Sequence, residues 1–269
     1  MTIELSGITL GYLDQGQPSS RRPVMLLTGL GGVGTAWGPQ IELFGAEGRI
    51  IVPDHRGTGR STHTLTGLDL PQLAEDMAGL VKALHLGPVH VVGSSTGGAI
   101  GQLMALDHAD TVASLSLVAS WGRVDNYFET WFGLRSRVLE HLSFDEHIAL
   151  TQLLLHSPAY WTKNQDAFAA QRKMMAAQPP ENDIALARIR MILDHDVLDR
   201  LPSLDVPTLV VAGGLDVVCP PYLSEQLTAA IPGARYELMA HCGHYVHTED
   251  PAGFHQRVAA FIDAVEGAQ

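Results

Sequence analysis

At 269 residues, with 46% hydrophobic and 17% charged side chains, the chain suffices for one large domain, or for a domain carrying an insertion. Seventeen Lys and Arg against 29 Asp and Glu leave a net charge of -12, which excludes a basic nucleic-acid surface, and no Lys/Arg cluster restores one. No apolar run reaches the roughly 18 residues of a membrane span, the first residues lack the basic and apolar regions of a leader, and two cysteines make no disulfide framework, so a soluble cytoplasmic protein is expected.

Residues 2–14 alternate as two short strands around Ser6-Gly7, which predicts an antiparallel hairpin, and Pro18 to Pro23 is a polar turn cluster. Residues 24–27 read as a buried strand running into Thr28-Gly29-Leu30-Gly31-Gly32-Val33-Gly34. This loop has neither the Gly-Lys-Ser/Thr ending of a phosphate loop nor a dinucleotide fingerprint. Its glycines would either turn the chain or let backbone N–H groups approach a developing oxyanion. Residues 49–53 form the next strand, followed by the polar turn Asp54-His55-Arg56-Gly57-Thr58-Gly59-Arg60-Ser61. Apolar positions at helical spacing (Leu70, Leu73, Met77, Leu80, Val81, Leu84) predict a crossover helix over 70–86.

The stretch that organises the chain comes next. Val89, Val91 and Val92 mark a buried strand that meets Gly93-Ser94-Ser95-Thr96-Gly97, and a helical run over 99–106 follows. Strand, tight turn and helix are the context that gives Gly-x-Ser-x-Gly meaning as a nucleophile elbow, with Ser95 at a strained apex. The helix N-terminus then aims its amides at the reacting centre.

Residues 112–119 are another strand, and after Trp121 the rhythm changes. Helix-like segments cover roughly 124–142, 144–156, 164–178 and 182–198, with Ser143 and Glu146 as a capping box and Pro179-Pro180 between the last two. Alternation resumes with a strand at 208–212, a helix at 222–231, a strand at 235–239 and a helix at 251–265. The reading is a core of residues 1–120 and 206–269, with 121–205 a helical lid over the sheet edge where open α/β folds place their sites.

A serine hydroxyl needs a base to take its proton, and the base needs an orienting carboxylate. Of 13 histidines, His244 stands out, on the loop between the strand at 235–239 and the last helix. Asp216 lies just past the strand at 208–212. Both leave the same sheet edge as Ser95, in the chain order Ser, Asp, His. The string Ala119-Ser120-Trp121 offers no alternative acid before Asp125. His55 and His247 have no metal-ligand spacing, so no metal and no cofactor are expected.

Over essentially its full length the chain resembles the α/β-hydrolase fold family. Thr28-Gly29-Leu30-Gly31 stands where the family has its oxyanion loop, with Thr28 replacing the usual histidine. Asp54-x-Arg56-Gly57-x-Gly59-x-Ser61, Gly213-x-x-Asp216-x-x-x-Pro220, and Gly243-His244 with Glu249 and Pro251 match further signatures. The resemblance implies a mostly parallel eight-stranded sheet with helices on both faces and a lid after the sixth strand. It also implies backbone amides of Leu30 and Thr96 as the oxyanion hole. Ser95 at the apex speaks against the aspartate-nucleophile relatives, haloalkane dehalogenases and epoxide hydrolases. Gly29-Leu30-Gly31-Gly32-x-Gly34-x-x-Trp37 and Ser120-Trp121-Gly122-Arg123 are similar to aminoacrylate hydrolases, and size and lid also suit enol-lactonases and small esterases.

The expected activity is therefore that of a cofactor-free serine hydrolase acting on a carboxylic ester, lactone or related acyl bond through an acyl-enzyme. Open alternatives are C–C or C–N cleavage, perhydrolysis or lyase chemistry on the same residues, and a ligand-binding receptor on the same scaffold. Arg123 could pair with a substrate carboxylate or make a lid-to-core ion pair. Trp121, Trp131, Phe132, Trp161, Met174, Met175 and Met191 could line the pocket or simply pack the helices. The expected partners are a small-molecule substrate and, for assembly, a homodimer. Cys219 and Cys242 are expected as free thiols.

Overall fold

The computed structural model describes every residue except Ser6, Pro18, 178–180 and Gln269, so Ser6 and Pro18 of the predicted turns and the Pro179-Pro180 break lie outside the described residues. Strands β1 (Thr2–Leu5), β2 (Ile8–Gln15), β3 (Val24–Leu27), β4 (Ile50–Pro53), β5 (Val89–Ser94), β6 (Val112–Val118), β7 (Thr208–Gly213) and β8 (Arg235–Met239) form one sheet in the order β1-β2-β4-β3-β5-β6-β7-β8. The β1–β2 and β2–β4 pairs are antiparallel, and every pair from β4 onward is parallel.

The central strands are continuous apolar runs because both faces are covered. Val91, Leu115, Leu117 and Val210 point into a core with α2 (Leu70–Ala83), α3 (Thr96–Asp107) and α9 (Pro221–Ala230). Val92, Val118, Leu209 and Val211 point the other way, to α1 (Pro39–Glu47) and α10 (Pro251–Gly267), where Phe44, Phe254 and Ile262 are buried. Each fully buried side chain of this size contributes about 1.5–3 kcal/mol. Helix α1, absent from the sequence reading, starts at Pro39 after Gly38 and buries only Gln40, Phe44 and Gly45, too thin a stripe to stand out by periodicity.

β3 lies between β4 and β5, so the crossover through α1 goes one way and the crossover through α2 goes the other. Loops leaving the C-terminal ends of β3 and β5 therefore diverge and open a crevice. Between β6 and β7 the described residues make five α-helices, α4 (Asn126–His141), α5 (Phe144–Leu155), α6 (Pro158–Lys163), α7 (Gln165–Ala176) and α8 (Asn182–Leu193). Asp125 caps α4 by accepting from the Phe128 amide at 2.8 Å, and its other oxygen accepts from the Tyr222 hydroxyl. The predicted capping box is present at α5: Ser143 accepts from the Glu146 amide, and Glu146 accepts from that of Ser143. The last segment, predicted to reach 198, ends at Leu193; residues from Arg123 pair instead with Asp196 as a short antiparallel bridge. No helix among the described residues is long and apolar enough to cross a membrane.

Candidate active site

Ser95 sits between β5 and α3 with φ 53° and ψ −115°, a left-handed conformation that an L-residue adopts at a cost of about 1–3 kcal/mol. Its surroundings enforce it. The Ser95 amide donates to Val118 O at 2.8 Å, and Ser120 Oγ donates to Ser95 O at 2.9 Å. The flanking glycines are steric requirements. A Cβ on Gly93 would lie 2.3 Å from Gly97 O, and one on Gly97 would lie 2.1 Å from Leu27 O. Both would drive side-chain carbon into backbone.

Parallel pairing sets what faces the elbow. β3 runs alongside β5 with Leu27 opposite Gly93, so the glycine-rich loop leaves the sheet beside Ser95; a Cβ on Gly29 would stand 3.5 Å from Ser95 Cβ. β7 and β8 end together, Gly213 opposite Met239, and their loops carry Asp216 and His244. Asp216 Oδ2 lies 2.7 Å from His244 Nδ1, both side chains being almost fully buried. Asp216 Oδ1 accepts from the amides of Val218 and Cys219 at 2.8 and 2.9 Å, which fixes the carboxylate plane. Burial, reinforced by Asp216, pushes the pKa of Cys219 well above the ordinary thiol range, so it remains a thiol. Cys242 is likewise free and buried, its pKa pushed up to about 11 chiefly by burial.

The histidine loop is clamped by Glu249. Its carboxylate accepts from the Ser157 amide and hydroxyl (2.7 and 2.6 Å) and the Gly243 amide (3.2 Å). Burial pushes this carboxyl up, but its hydrogen bonds to His156, Ser157 and Gly243 outweigh burial and hold it below the usual range. Ser157 caps α6, so one carboxylate joins the helical insertion to the loop that carries His244.

The glycine-rich loop is strapped in a similar way. Gly32 O accepts from the His55 amide and Thr58 Oγ1, and Asp54 accepts from the Gly34 amide and from Arg60. This is what the polar turn after β4 does; Arg56 anchors that turn through a buried two-pronged pair with Asp76. Arg188 of α8 completes the arrangement, and the sequence reading did not single it out. Its guanidinium donates to Leu30 O at 2.7 Å, Arg56 O at 3.1 Å and His55 Nδ1 at 3.1 Å. Burial pulls its pKa down to about 10, and burial with Arg188 holds His55 well below the usual range, leaving that ring neutral and able to accept. A Cβ on Gly32 would fall 2.7 Å from Arg188 Nη2. The signal was in the sequence: Ile184, Arg188 and Ile192 recur at four-residue spacing, so the arginine occupies a buried stripe.

Several expected substrate contacts are corrected. Arg123 pairs with Asp196 at 2.9 Å and Asp199 at 2.6 Å on the surface, so its charge is already answered. Trp121 is fully buried against Phe128, with ring centroids 4.5 Å apart, and packs core to insertion. Met174 and Met175 lie on α7 with 69% and 41% exposure, facing solvent. Trp161 packs on Phe168, Phe132 on Phe128, and Met191 is in the core. Trp131 does line a crevice, with Arg135, Thr151 and Val218. His247 is buried between Trp37 and Tyr245, its pKa brought down to about 3 first by burial and then by His244 and His156. Among the described residues no group of three His, Cys, Asp or Glu is placed to hold a metal ion. A hollow of about 470 Å³ lies at the opposite end of the strands, lined by Pro88, Val112, Asp205 and Pro207, away from Ser95.

The profile of the α/β hydrolase fold matches residues 22–251. The chain belongs to the α/β-hydrolase family. A relative from Caulobacter vibrioides that bears the provisional name carbamate hydrolase RutD is 32% identical over 265 residues, covering 95% of this chain and 98% of the relative. Among solved structures, a thermophilic esterase from Thermogutta terrifontis is 29% identical with a TM-score of 0.83, covering 98% of this chain and 97% of its own. The enol-lactonase from Burkholderia xenovorans superposes with a TM-score of 0.88 at 23% identity, covering 98% and 100%, which shows the shared fold of this α/β-hydrolase.

Proposed function

We propose that this α/β-hydrolase cleaves a small acyl substrate, a carboxylic ester, lactone or carbamate, through a covalent acyl-enzyme on Ser95. The reading rests on one observation: a serine at a positive-φ elbow stands on the sheet edge from which a 2.7 Å His244–Asp216 pair also emerges. With Nδ1 held by Asp216, His244 keeps Nε2 for the Ser95 proton. Ser95 Oγ attacks the carbonyl carbon, and His244 returns that proton to the departing alcohol or amine. Water, deprotonated by His244, then attacks the acyl-enzyme and releases the acid and free Ser95.

The amides of Leu30 and Thr96 would hold the tetrahedral oxyanion. Neither has an acceptor among the described residues, and Thr96 opens α3, where the first helical amides have no intrahelical partner. Helices α4 to α8 would form the lid. The relatives that bear the name of a carbamate hydrolase place carbamates beside esters and lactones in the panel to be tried. Labelling by a fluorophosphonate probe, mapped by mass spectrometry to Ser95, together with turnover of p-nitrophenyl esters, lactones and carbamates, tests the reading. A folded protein that neither labels at Ser95 nor turns over any of them would refute it.

Arg188 enters this scheme as a positioning residue, since it ties the lid to Leu30. Arg188→Met leaves Leu30 O, Arg56 O and His55 Nδ1 without their donor and loosens the oxyanion loop. The expected result is a fall in kcat of roughly 10²-fold with KM changed much less, because the donors matter most once the oxyanion exists. Arg188→Lys should recover part of the loss. Measured kcat and KM on the best panel substrate decide it; a loss confined to KM would remove Arg188 from this role.

A further inference from the structure

Helix α4 presents Phe128, Phe132, Arg135 and Leu139 at spacings of four, three and four, so a half-buried arginine stands on the inward-facing stripe of a lid helix. Its Nε is buried with no hydrogen-bond partner, and among the described residues no carboxylate lies within ion-pair distance of it. The other paired arginines of the insertion behave differently: Arg123 meets Asp196 and Asp199, Arg172 meets Asp145, and Arg190 meets Glu140. Arg135 has only the face of the Phe132 ring, 5.8 Å from its Cζ.

Two further buried groups without partners line the same narrow crevice, Trp131 Nε1 and Thr151 Oγ1. An indole N–H and a guanidinium can only donate, and a threonine hydroxyl can donate. The titratable neighbours bring no negative charge. Burial raises the pKa of Tyr245, and burial followed by Arg135 brings that of His147 down to about 4, so both are neutral near pH 7. The walls of the crevice belong to the catalytic neighbourhood. Val218 follows Asp216 by two residues and donates its amide to that carboxylate. Leu155 O accepts from the Tyr245 amide, and the Tyr245 ring stacks on His244 with centroids 5.8 Å apart. In this conformation the crevice is too narrow for water, so Arg135 Nε, Trp131 Nε1 and Thr151 Oγ1 are dry as well as unpaired.

We propose that this crevice between α4 and α5 receives a carboxylate of the substrate, so that the acyl compound processed at Ser95 is an acid whose charge lies away from the scissile bond. The inference rests on the hydrolase reading of Ser95. A carboxylate entering as α4 parts from α5 would meet a planar two-pronged donor and an indole N–H, with no carboxylate among the described lining residues to repel it.

The test compares mono-p-nitrophenyl glutarate with p-nitrophenyl valerate, which share acyl length and differ in the terminal carboxylate. The wild-type protein should prefer the acid in kcat/KM. In Arg135→Met the ratio of acid to neutral kcat/KM should fall by about ten-fold or more, and in Thr151→Val by less in the same direction. Equal losses on the two esters would overturn the proposal. Glutarate alone should raise the Tm of wild type and not that of Arg135→Met, whatever the turnover. A protein that shows this shift but never labels at Ser95 keeps the anion site and loses the hydrolase reading. One that labels at Ser95 and ignores glutarate loses the anion site alone.

Discussion

Ser95→Ala is expected to lower kcat by about 10⁴- to 10⁶-fold while leaving the fold and Tm almost unchanged. Alanine retains the Cβ and therefore the same cost of the φ 53° conformation, and the bonds from Val118 and Ser120 to the elbow are made to backbone atoms. What disappears is the hydroxyl alone. The measurement is kcat on the best panel substrate, with a thermal melt of the same sample. A folded variant retaining more than about a tenth of the activity would show that the nucleophile lies elsewhere, because losing an activated nucleophile costs orders of magnitude.

Asp216→Asn should cost roughly 10⁴-fold in kcat with little change in KM. Asparagine can keep its oxygen where Oδ1 accepts from Val218 and Cys219, so the acid loop stays in place. Its NH₂ would then face His244 Nδ1, where a carboxylate oxygen lay at 2.7 Å, and would force the proton onto Nε2. His244 could no longer accept from Ser95. Asp125→Asn is the informative contrast. Asp125 caps α4 and accepts from Tyr222; asparagine keeps the capping oxygen and can donate its NH₂ to the Tyr222 oxygen, so the change should cost at most about a few tenths of a kcal/mol of stability and leave kcat alone. A reversal of the two results would move the acid to the loop after β6.

The parts of this protein that were legible in its sequence are those whose cause is local. Val89 to Gly97 announces strand, turn and helix within a few residues, and the structure puts Ser95 in the strained turn that this order demands. The strand at 235–239 and the Ser143–Glu146 cap were read for the same reason: alternation and capping need only near neighbours. Helix ends were less legible. The segment predicted to run to 198 stops at Leu193 because its continuation bridges Arg123, 73 residues earlier along the chain.

Arg123 drew attention as the first cation after β6, but proximity along the chain said nothing about Asp196 and Asp199 waiting at the other end of the insertion. Arg188, which is buried, and Arg135, which is half-buried, stand on inward-facing helical stripes and did not stand out beside the lid aromatics. Charge on a buried helical stripe was the better signal, since such a residue must find acceptors or leave its charge unanswered. Trp121 shows the converse: the sequence leaves a large aromatic beside the site open to lining or to packing, and the core around Phe128 takes all of it.

The contact between Arg188 and the loop at Gly32 also constrains how such a sequence can drift. Position 32 tolerates no side chain while Arg188 Nη2 and Thr58 Oγ1 would each lie 2.7 Å from the added carbon. Replacing the glycine therefore requires that both Arg188 and Thr58 give way and that the new residue bear a φ of 71°, and surrendering the arginine strands the carbonyl of Leu30. Two positions 156 residues apart in the numbering thus form one inherited unit, in which the order of changes is set by sterics.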